Sequence, residues 1–213
     1  MNTAVTIGFR RRHLPHWTVA ERTYFVTMRL KGSIPDTVAC QRNQEREALL
    51  ATAPKPDVLN EFRRARLLRI EAILDTAPSG PTFLNVAPVA DLVARAFGWL
   101  GDQKGWLVHA FTIMPNHVHV LLRNVAGKNY LLSEHLGVFK GYTARKANHI
   151  LQRTGAFWMD ENFDHWCRTD EKVKAAVEYI RQNPVKAGLV SHPEAWPWTR
   201  VGRTFLPDRD AVQ

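Results

Sequence analysis

The sequence is poor in cysteine: Cys40 and Cys167 are the only two among 213 residues. Two thiols cannot make a disulfide framework, so the expected setting is a reducing compartment. No apolar run approaches the roughly 20 residues that a membrane-spanning helix needs, which argues against a membrane partner. The first twelve residues place Arg10, Arg11 and Arg12 after a short apolar stretch and lack the long apolar core of a secretory signal. There is no GxxxxGK[ST] loop to cradle nucleotide phosphates, no internal repeat, no low-complexity tract and no CxxC spacing for zinc. Acidic residues are the scarcer charge, 20 Asp plus Glu against 29 Lys plus Arg, giving a formal net charge of +9. That excess favours a polyanionic partner, most often nucleic acid. The rest, 45% hydrophobic and 23% charged, is ordinary globular composition and excludes wholesale disorder. The length suits one large domain or two small ones.

Local patterning alternates strands with runs of helix. Arg10-Arg-Arg-His-Leu-Pro-His-Trp17 is a basic, aromatic arm, and residues 22–30, rich in β-branched and aromatic side chains, read as a strand. Helices are expected from Asp36 to about Leu50, after Asp57 with Leu59, Phe62, Leu67, Ile70, Ile73 and Leu74 as its apolar stripe, and from Val89 to Leu100. Trp106–Met114 and His117–Arg123 read as two strands joined by the turn Pro115-Asn116, hence antiparallel neighbours. A helix over Ser133–Leu151 follows, and another opens at Thr169 with Val173, Ala176, Val177 and Ile180 at helical spacing. Pro184 is expected to end it, because the residue before a proline is pushed out of the helical basin. Together these elements predict an α+β fold. Trp99, Trp106 and His109 sit in apolar patterns and are expected in the core.

The densest chemical signal is His117-Val118-His119. Strand side chains alternate faces, so both imidazoles project one way while Val118, Val120 and Leu122 point into the core. Two imidazoles one strand repeat apart can share a divalent metal. The same pattern also describes a solvent-facing histidine pair, and the wholly aliphatic opposite face argues that the histidines are not core residues themselves. Tyr179 and Asn183, spaced i and i+4, share one helix face. Asn183 offers a carbonyl oxygen suited to Mg²⁺ or Mn²⁺. Tyr179 offers a phenol, a nucleophile once its anion is stabilised. The blander account has Tyr179 packing at a helix edge and Asn183 capping the helix before Pro184.

Two separated motifs in order, Met114-Pro-Asn-His-Val-His-Val-Leu-Leu122 and Tyr179-Ile-Arg-Gln-Asn-Pro-Val-Lys-Ala-Gly-Leu189, resemble the REP-associated tyrosine transposases, relatives of the IS200/IS605 single-strand transposases. Residues 12–17 with Thr23-Tyr-Phe-Val-Thr27, then Phe157-Trp158 and Phe163-Asp-His-Trp-Cys-Arg168, extend the likeness over most of the chain. The resemblance implies an HUH endonuclease fold over 1–205, a central antiparallel sheet flanked by helices with a basic N-terminal arm, and a short tail at 206–213. It implies His117 and His119 as paired metal ligands, Asn183 as the third, Tyr179 as nucleophile and Mg²⁺ or Mn²⁺ as cofactor. Tyr142 is a competing phenol without an Asn four residues on. The implied activity is cleavage of single-stranded, REP-type hairpin DNA through a 5′-phosphotyrosine link. The alternative is a domesticated protein that holds hairpins without cutting. The implied setting is the bacterial cytoplasm, close to the nucleoid, as monomer or homodimer.

For the DNA surface the candidates are Arg10, Arg11, Arg12, Arg123, Lys140, Arg145, Lys146, Lys186 and Arg200 for phosphates, with Trp17, Trp158 and Trp166 for base stacking. Asp164 and His165 are candidates for ordering the active site by a hydrogen bond. A rival zinc site would join His165 and Cys167 to His117 and His119.

Overall fold

The computed structural model describes residues 6–11, 15–19, 22–76, 80–124 and 131–202, and for 6–11 and 15–19 the backbone alone. Arg12 and the tail at 206–213 therefore lie outside the described residues, as do the side chains of Arg10, Arg11 and Trp17.

The centre is a five-stranded antiparallel sheet in the order β6-β3-β5-β4-β7. Its strands are β3 (Thr23–Arg29), β4 (Trp106–Ile113), β5 (His117–Asn124), β6 (Phe163–Cys167) and β7 (Thr199–Val201). The expected hairpin forms β4 and β5: Met114 N–H donates to the His117 carbonyl at 2.8 Å, and Ile113 lies opposite Val118. A separate two-stranded sheet pairs β1 (Thr6–Arg11) antiparallel with β2 (Pro15–Val19). The helices are α1 (Asp36–Ala51), α2 (Pro56–Thr76), α3 (Ala87–Lys104), α4 (Leu132–Ile150) and α5 (Asp170–Lys186). No helix among the described residues is long and apolar enough to cross a membrane.

Strand alternation divides the sheet into two faces. Tyr24, Val26 and Met28 of β3 and Val118, Val120 and Leu122 of β5 pack with Phe97 of α3 and Phe139 of α4 in the larger core. On the other face Phe25, Leu121 and Cys167 pack beneath Val177 and Ile180 of α5. β3, paired on both sides and covered on both faces, is buried along its whole length. α2 is seated by Ile70 and Leu74 against Ile34, with Phe163 beside them.

Four expectations need correction. The helix bearing Tyr179 continues through Pro184 to Lys186. A proline lacks the N–H that would reach back one turn, but only a few helical residues follow, and the Ala187 and Leu189 N–H groups bond the Asn183 and Pro184 carbonyls at 3.0 and 2.9 Å. Asn183 is thus inside the helix and is not its cap. His117 and His119 are completely buried, because α2 and α5 roof the face that the strand pattern alone leaves open. Trp158, a stacking candidate, is 5% exposed in the larger core with its Nε1–H donated to Thr143 Oγ1 at 2.9 Å. Trp99, expected inside, is 38% exposed with Lys104 Nζ 5.2 Å over its ring. Trp106 and His109 are buried as expected.

Candidate functional site

The site grows from the turn that joins β4 to β5. Asn116, immediately before β5, is 1% exposed and satisfied at both ends of its amide: Nδ2 donates to the Leu74 carbonyl of α2 at 3.0 Å, and Oδ1 lies 2.7 Å from His117 Nδ1. Because the amide nitrogen is committed to a carbonyl, its oxygen must accept from His117, which places the imidazole proton on Nδ1. His117 Nε2 is then a bare lone pair, and it points at His119 Nε2, 3.0 Å away. On the far side of His119, Nδ1 meets Thr27 Oγ1 of β3 at 2.9 Å. Burial holds both rings neutral: His117 is pushed down to about 3, and His119 falls well below its ordinary value from burial and then from His117. Neutral imidazoles with outer nitrogens fixed by hydrogen bonds are the form that ligates a metal.

Two helices bring the remaining groups. Asp75 of α2 places Oδ1 3.8 Å from His117 Nε2. With the imidazole neutral this contact is no ion pair, and among the described residues Asp75, His117 and His119 form the one His/Cys/Asp/Glu cluster compact enough for a metal ion. From α5, Asn183 donates Nδ2 to Asp75 Oδ1 at 3.4 Å, while its fully buried Oδ1 has no hydrogen-bond partner. A buried acceptor without a donor is costly unless something else satisfies it. The His117 lone pair, the one His119 presents when its proton sits on Nδ1, a carboxylate and an orphaned carbonyl oxygen fit a divalent cation of the Mg²⁺ or Mn²⁺ kind.

Tyr179 stands one helical turn before Asn183, its ring 5.3 Å from that of His119 and 5.8 Å from Phe25. The Glu71 carboxylate of α2 lies near enough to interact with its hydroxyl. Burial, then the charges of Glu71 and Asp75, raise the phenol far above its usual range, so it is held protonated. Glu71 is 9% exposed, and burial followed by Asp75 pushes its carboxyl up to about 7. Lys186 Nζ lies 4.7 Å over the Tyr179 ring. Arg29 is a further buried cation, opposite His117 across the β3–β5 pairing, with Nη1 3.4 Å from Ser33 Oγ.

The structure thus brings together the residues expected at the site, His117, His119, Tyr179 and Asn183, and adds Thr27, Glu71, Asp75 and Asn116. Sequence reading took α2 for an apolar stripe. The acidic pair Glu71 and Asp75, at i and i+4 beside the stripe residues Ile70 and Leu74, was the available signal.

Other candidates lie elsewhere. His165 is on β6, separated from β5 by β3, and Phe25 of β3 touches both rings at 5.3 Å. Neither His165 nor Cys167 joins the metal cluster, so the four-residue zinc site is not formed. Asp164 neighbours His165 in the strand and so points to the opposite face of β6. Tyr142 is 44% exposed in a groove between α3 and α4, with Leu92, Trp99 and Val138, across the sheet from the histidines. Lys140 donates Nζ to the Met159 and Asp160 carbonyls at 2.7 and 3.2 Å. Arg145 and Lys146 are exposed on α4, Lys186 on α5, Arg123 on β5 and Arg200 on β7. Trp166 is half-buried, with the Arg22 and Arg168 guanidinium groups 5.7 and 5.3 Å from its ring centre.

Comparison with known proteins gives three findings. Residues 83–183 match the family model described as transposase IS200 like, a span that holds His117, His119, Tyr179 and Asn183 and omits α2. No curated protein matches the chain. Among solved structures, a REP-associated tyrosine transposase bound to a REP hairpin is similar with a TM-score of 0.55 and 16% identity, over 94% of this chain and 88% of that one. A candidate transposase from Deinococcus radiodurans R1 gives a TM-score of 0.39 and 14% identity, over 82% of this chain and 96% of that one. The first likeness establishes a shared fold, that of the antiparallel sheet with flanking helices.

Proposed function

We propose that this chain, whose residues 83–183 match the IS200-like transposases, cleaves and rejoins single-stranded REP-type hairpin DNA through a 5′-phosphotyrosine intermediate. The observation that carries this reading is convergence: the Tyr179 ring, the facing Nε2 atoms of His117 and His119, and the orphaned Asn183 Oδ1 surround one buried spot. A packing tyrosine and a capping asparagine have no reason to meet two neutral imidazoles there.

His117, His119, Asn183 and Asp75 would hold the divalent ion, with Asn116 and Thr27 fixing the histidine rings. Such an ion supplies Lewis-acid stabilisation of charge at the scissile phosphate and the departing oxygen. Tyr179 supplies the nucleophile: its phenolic oxygen attacks phosphorus in line, the bond to the 3′ oxygen breaks, and the 5′ end stays on the tyrosine. Phosphodiester energy is retained, so a free 3′-hydroxyl can later attack the same phosphorus and release Tyr179. The reaction is transesterification, and it needs no nucleotide cofactor. Lys186, above the phenol ring, offers a positive charge beside the incoming phosphate.

The test is a labelled single-stranded hairpin with single-stranded flanks, incubated with the protein and Mg²⁺ or Mn²⁺ and resolved under denaturing conditions. A covalent adduct is expected from the wild-type protein and none from Tyr179→Phe, which still binds the hairpin. An undiminished adduct in Tyr179→Phe removes the nucleophile assignment. Hairpin binding without any wild-type adduct selects the alternative of a non-cleaving binder.

A further inference from the structure

Across the sheet from Tyr179 and the histidines, α3 and α4 leave a groove of about 520 Å³ between them. We infer that this groove is a second nucleic-acid site, which holds unpaired bases beside the hairpin between Trp99 and Tyr142, with Arg95 and Arg145 on their phosphates. The inference rests on the reading that the chain binds hairpin DNA with single-stranded flanks, and it is independent of Tyr179 as nucleophile.

Three observations carry it. Both helices already commit one apolar face to the core, through Val93 and Phe97 of α3 and Leu136 and Phe139 of α4. A further stripe lines the groove: Arg95 and Trp99 on α3, with Val138, Tyr142 and Arg145 on α4, all exposed and spaced at i, i+4 and i+7. A second apolar face on a helix has no core to serve and marks a binding surface.

Charge then says what the surface receives. The groove lining holds two arginines and no carboxylate. Among the described residues neither Arg95 nor Arg145 makes an ion pair. Lys104 Nζ, 5.2 Å over the Trp99 ring, adds a cation at that wall, and exposed Lys146 follows Arg145 on α4. Aromatic walls ringed by cations complement a strand whose bases are aromatic and whose backbone is anionic.

The third observation is shape. The volume lies within the roughly 300–1,000 Å³ of sites that enclose small organic ligands, so the groove has room for bases inserted between its walls. A duplex keeps its bases stacked on one another and offers no ring face to such a slot, whereas unpaired nucleotides do. Because α3 and α4 cover the face of the sheet opposite His117, the nucleotides held here are not those at the cleaved bond. They belong to a further stretch of the flank, whose anchoring raises affinity without touching the chemistry.

The experiment measures binding of the full chain by fluorescence anisotropy to three labelled probes: a hairpin with a single-stranded flank, the same flank with abasic sites replacing its bases, and the bare hairpin. Trp99→Ala and Tyr142→Ala should each weaken binding of the flanked hairpin roughly 5- to 150-fold, the effect of one stacked base, and leave the bare hairpin unchanged. The abasic flank should bind the wild type about as weakly as the variants bind the intact flank. Tyr142→Phe keeps the ring and should bind as wild type does. 5-Iodouracil placed along the flank should crosslink to Trp99 or Tyr142 on irradiation. Both side chains are exposed, so an unchanged Tm checks folding. An undiminished affinity for the intact flank in both alanine variants, or an equal loss on the bare hairpin, overturns the site. So does a wild type indifferent to the abasic flank. If the flank goes unbound while a labelled amphipathic helical peptide with glutamates on its polar face binds the wild type and not Trp99→Ala, the groove docks a protein and the inference is overturned. A wild type that binds no hairpin removes the DNA reading and this inference with it. A wild type that binds the flanked hairpin but forms no adduct removes the nucleophile alone.

Discussion

The Nε2 atoms of His117 and His119 lie 3.0 Å apart, and neither ring meets solvent. Asn116 forces His117 to present a lone pair, so His119 has two choices. It can carry its proton on Nε2 and donate to His117, with the Thr27 hydroxyl donating to Nδ1. Otherwise it carries the proton on Nδ1, donates to Thr27, and leaves two lone pairs facing each other, which only a cation between or beside them can stabilise. Thr27 serves both states because a hydroxyl both donates and accepts. Mn²⁺ at about 100 times its Kd should therefore stabilise the protein by about 2.7 kcal/mol, a rise in Tm of roughly 5–10 °C for a chain of this size. Thr27→Val removes the hydroxyl and should weaken Mn²⁺ affinity about 10- to 100-fold, read by calorimetric titration. An unchanged affinity would show that Thr27 takes no part in holding the ring.

Trp158 is a structural residue, and a substitution separates that role from DNA stacking. Its indole donates to Thr143 from inside the core, between β3 and α4. Trp158→Phe keeps most of the apolar volume but leaves the Thr143 hydroxyl without that donor. The expected cost is about 1–3 kcal/mol in urea unfolding, with hairpin affinity unchanged at a temperature where the variant is folded. Trp166, half-buried between Arg22 and Arg168 at the sheet edge, should behave the opposite way: Trp166→Ala weakens hairpin binding more than it lowers stability. Equal DNA affinity in both variants would remove Trp166 from the binding surface.

What the sequence makes legible here is what local periodicity determines. The β4–β5 hairpin follows from two apolar runs about a two-residue turn, and the common face of Tyr179 and Asn183 follows from their i, i+4 spacing. Burial of the histidines is not local. It depends on α2, whose Leu74 meets Asn116 across 42 residues, and on α5, whose Asn183 meets Asp75 across 108. No pattern within β5 carries that information, so its second face reads as open. Glu71 and Asp75 were hidden in the same way, as acidic residues on a helix whose apolar stripe explains itself. Pro184 misled for a different reason: the local rule about the preceding residue is real, but the last turn of α5 absorbs a single missing N–H.

The basic residues should divide by the step they affect. Lys186 stands over the Tyr179 ring, whereas Arg145 and Lys146 are exposed on α4, in the layer across the sheet. Phosphates held from that far layer can anchor the hairpin, but the side chains there cannot touch the reacting phosphorus. The double substitution Arg145→Ala, Lys146→Ala should weaken hairpin binding and flatten its salt dependence by up to about 0.9 for each phosphate no longer neutralised, leaving the adduct rate at saturating DNA unchanged. Lys186→Ala should lower both affinity and the saturated rate. A rate loss in the α4 double variant that extra DNA does not correct would contradict this division.

Glu71 links the site to stability, and the sign of its pH dependence is opposite to that of an ordinary surface carboxylate. Its folded-state value is about 7 against an unfolded value near 4.5, with burial as the main cause and Asp75 as the next. The folded protein therefore binds the proton more tightly than the unfolded chain. Its stability is unpenalised below about pH 4.5, falls as pH rises toward 7, and carries the full cost above that. Glu71→Gln replaces the carboxylate with a neutral group of the same shape. In metal-free protein it should raise stability at pH 8 by up to about 3 kcal/mol, with the gain shrinking toward zero near pH 4.5, measured by urea unfolding in EDTA across that range. Asp75 and Tyr179 are common to both proteins, so the difference between the two curves reports Glu71 together with its charge coupling to these neighbours. A Glu71→Gln curve parallel to wild type from pH 4.5 to 8 would mean that this carboxyl is hydrated in solution and is not buried.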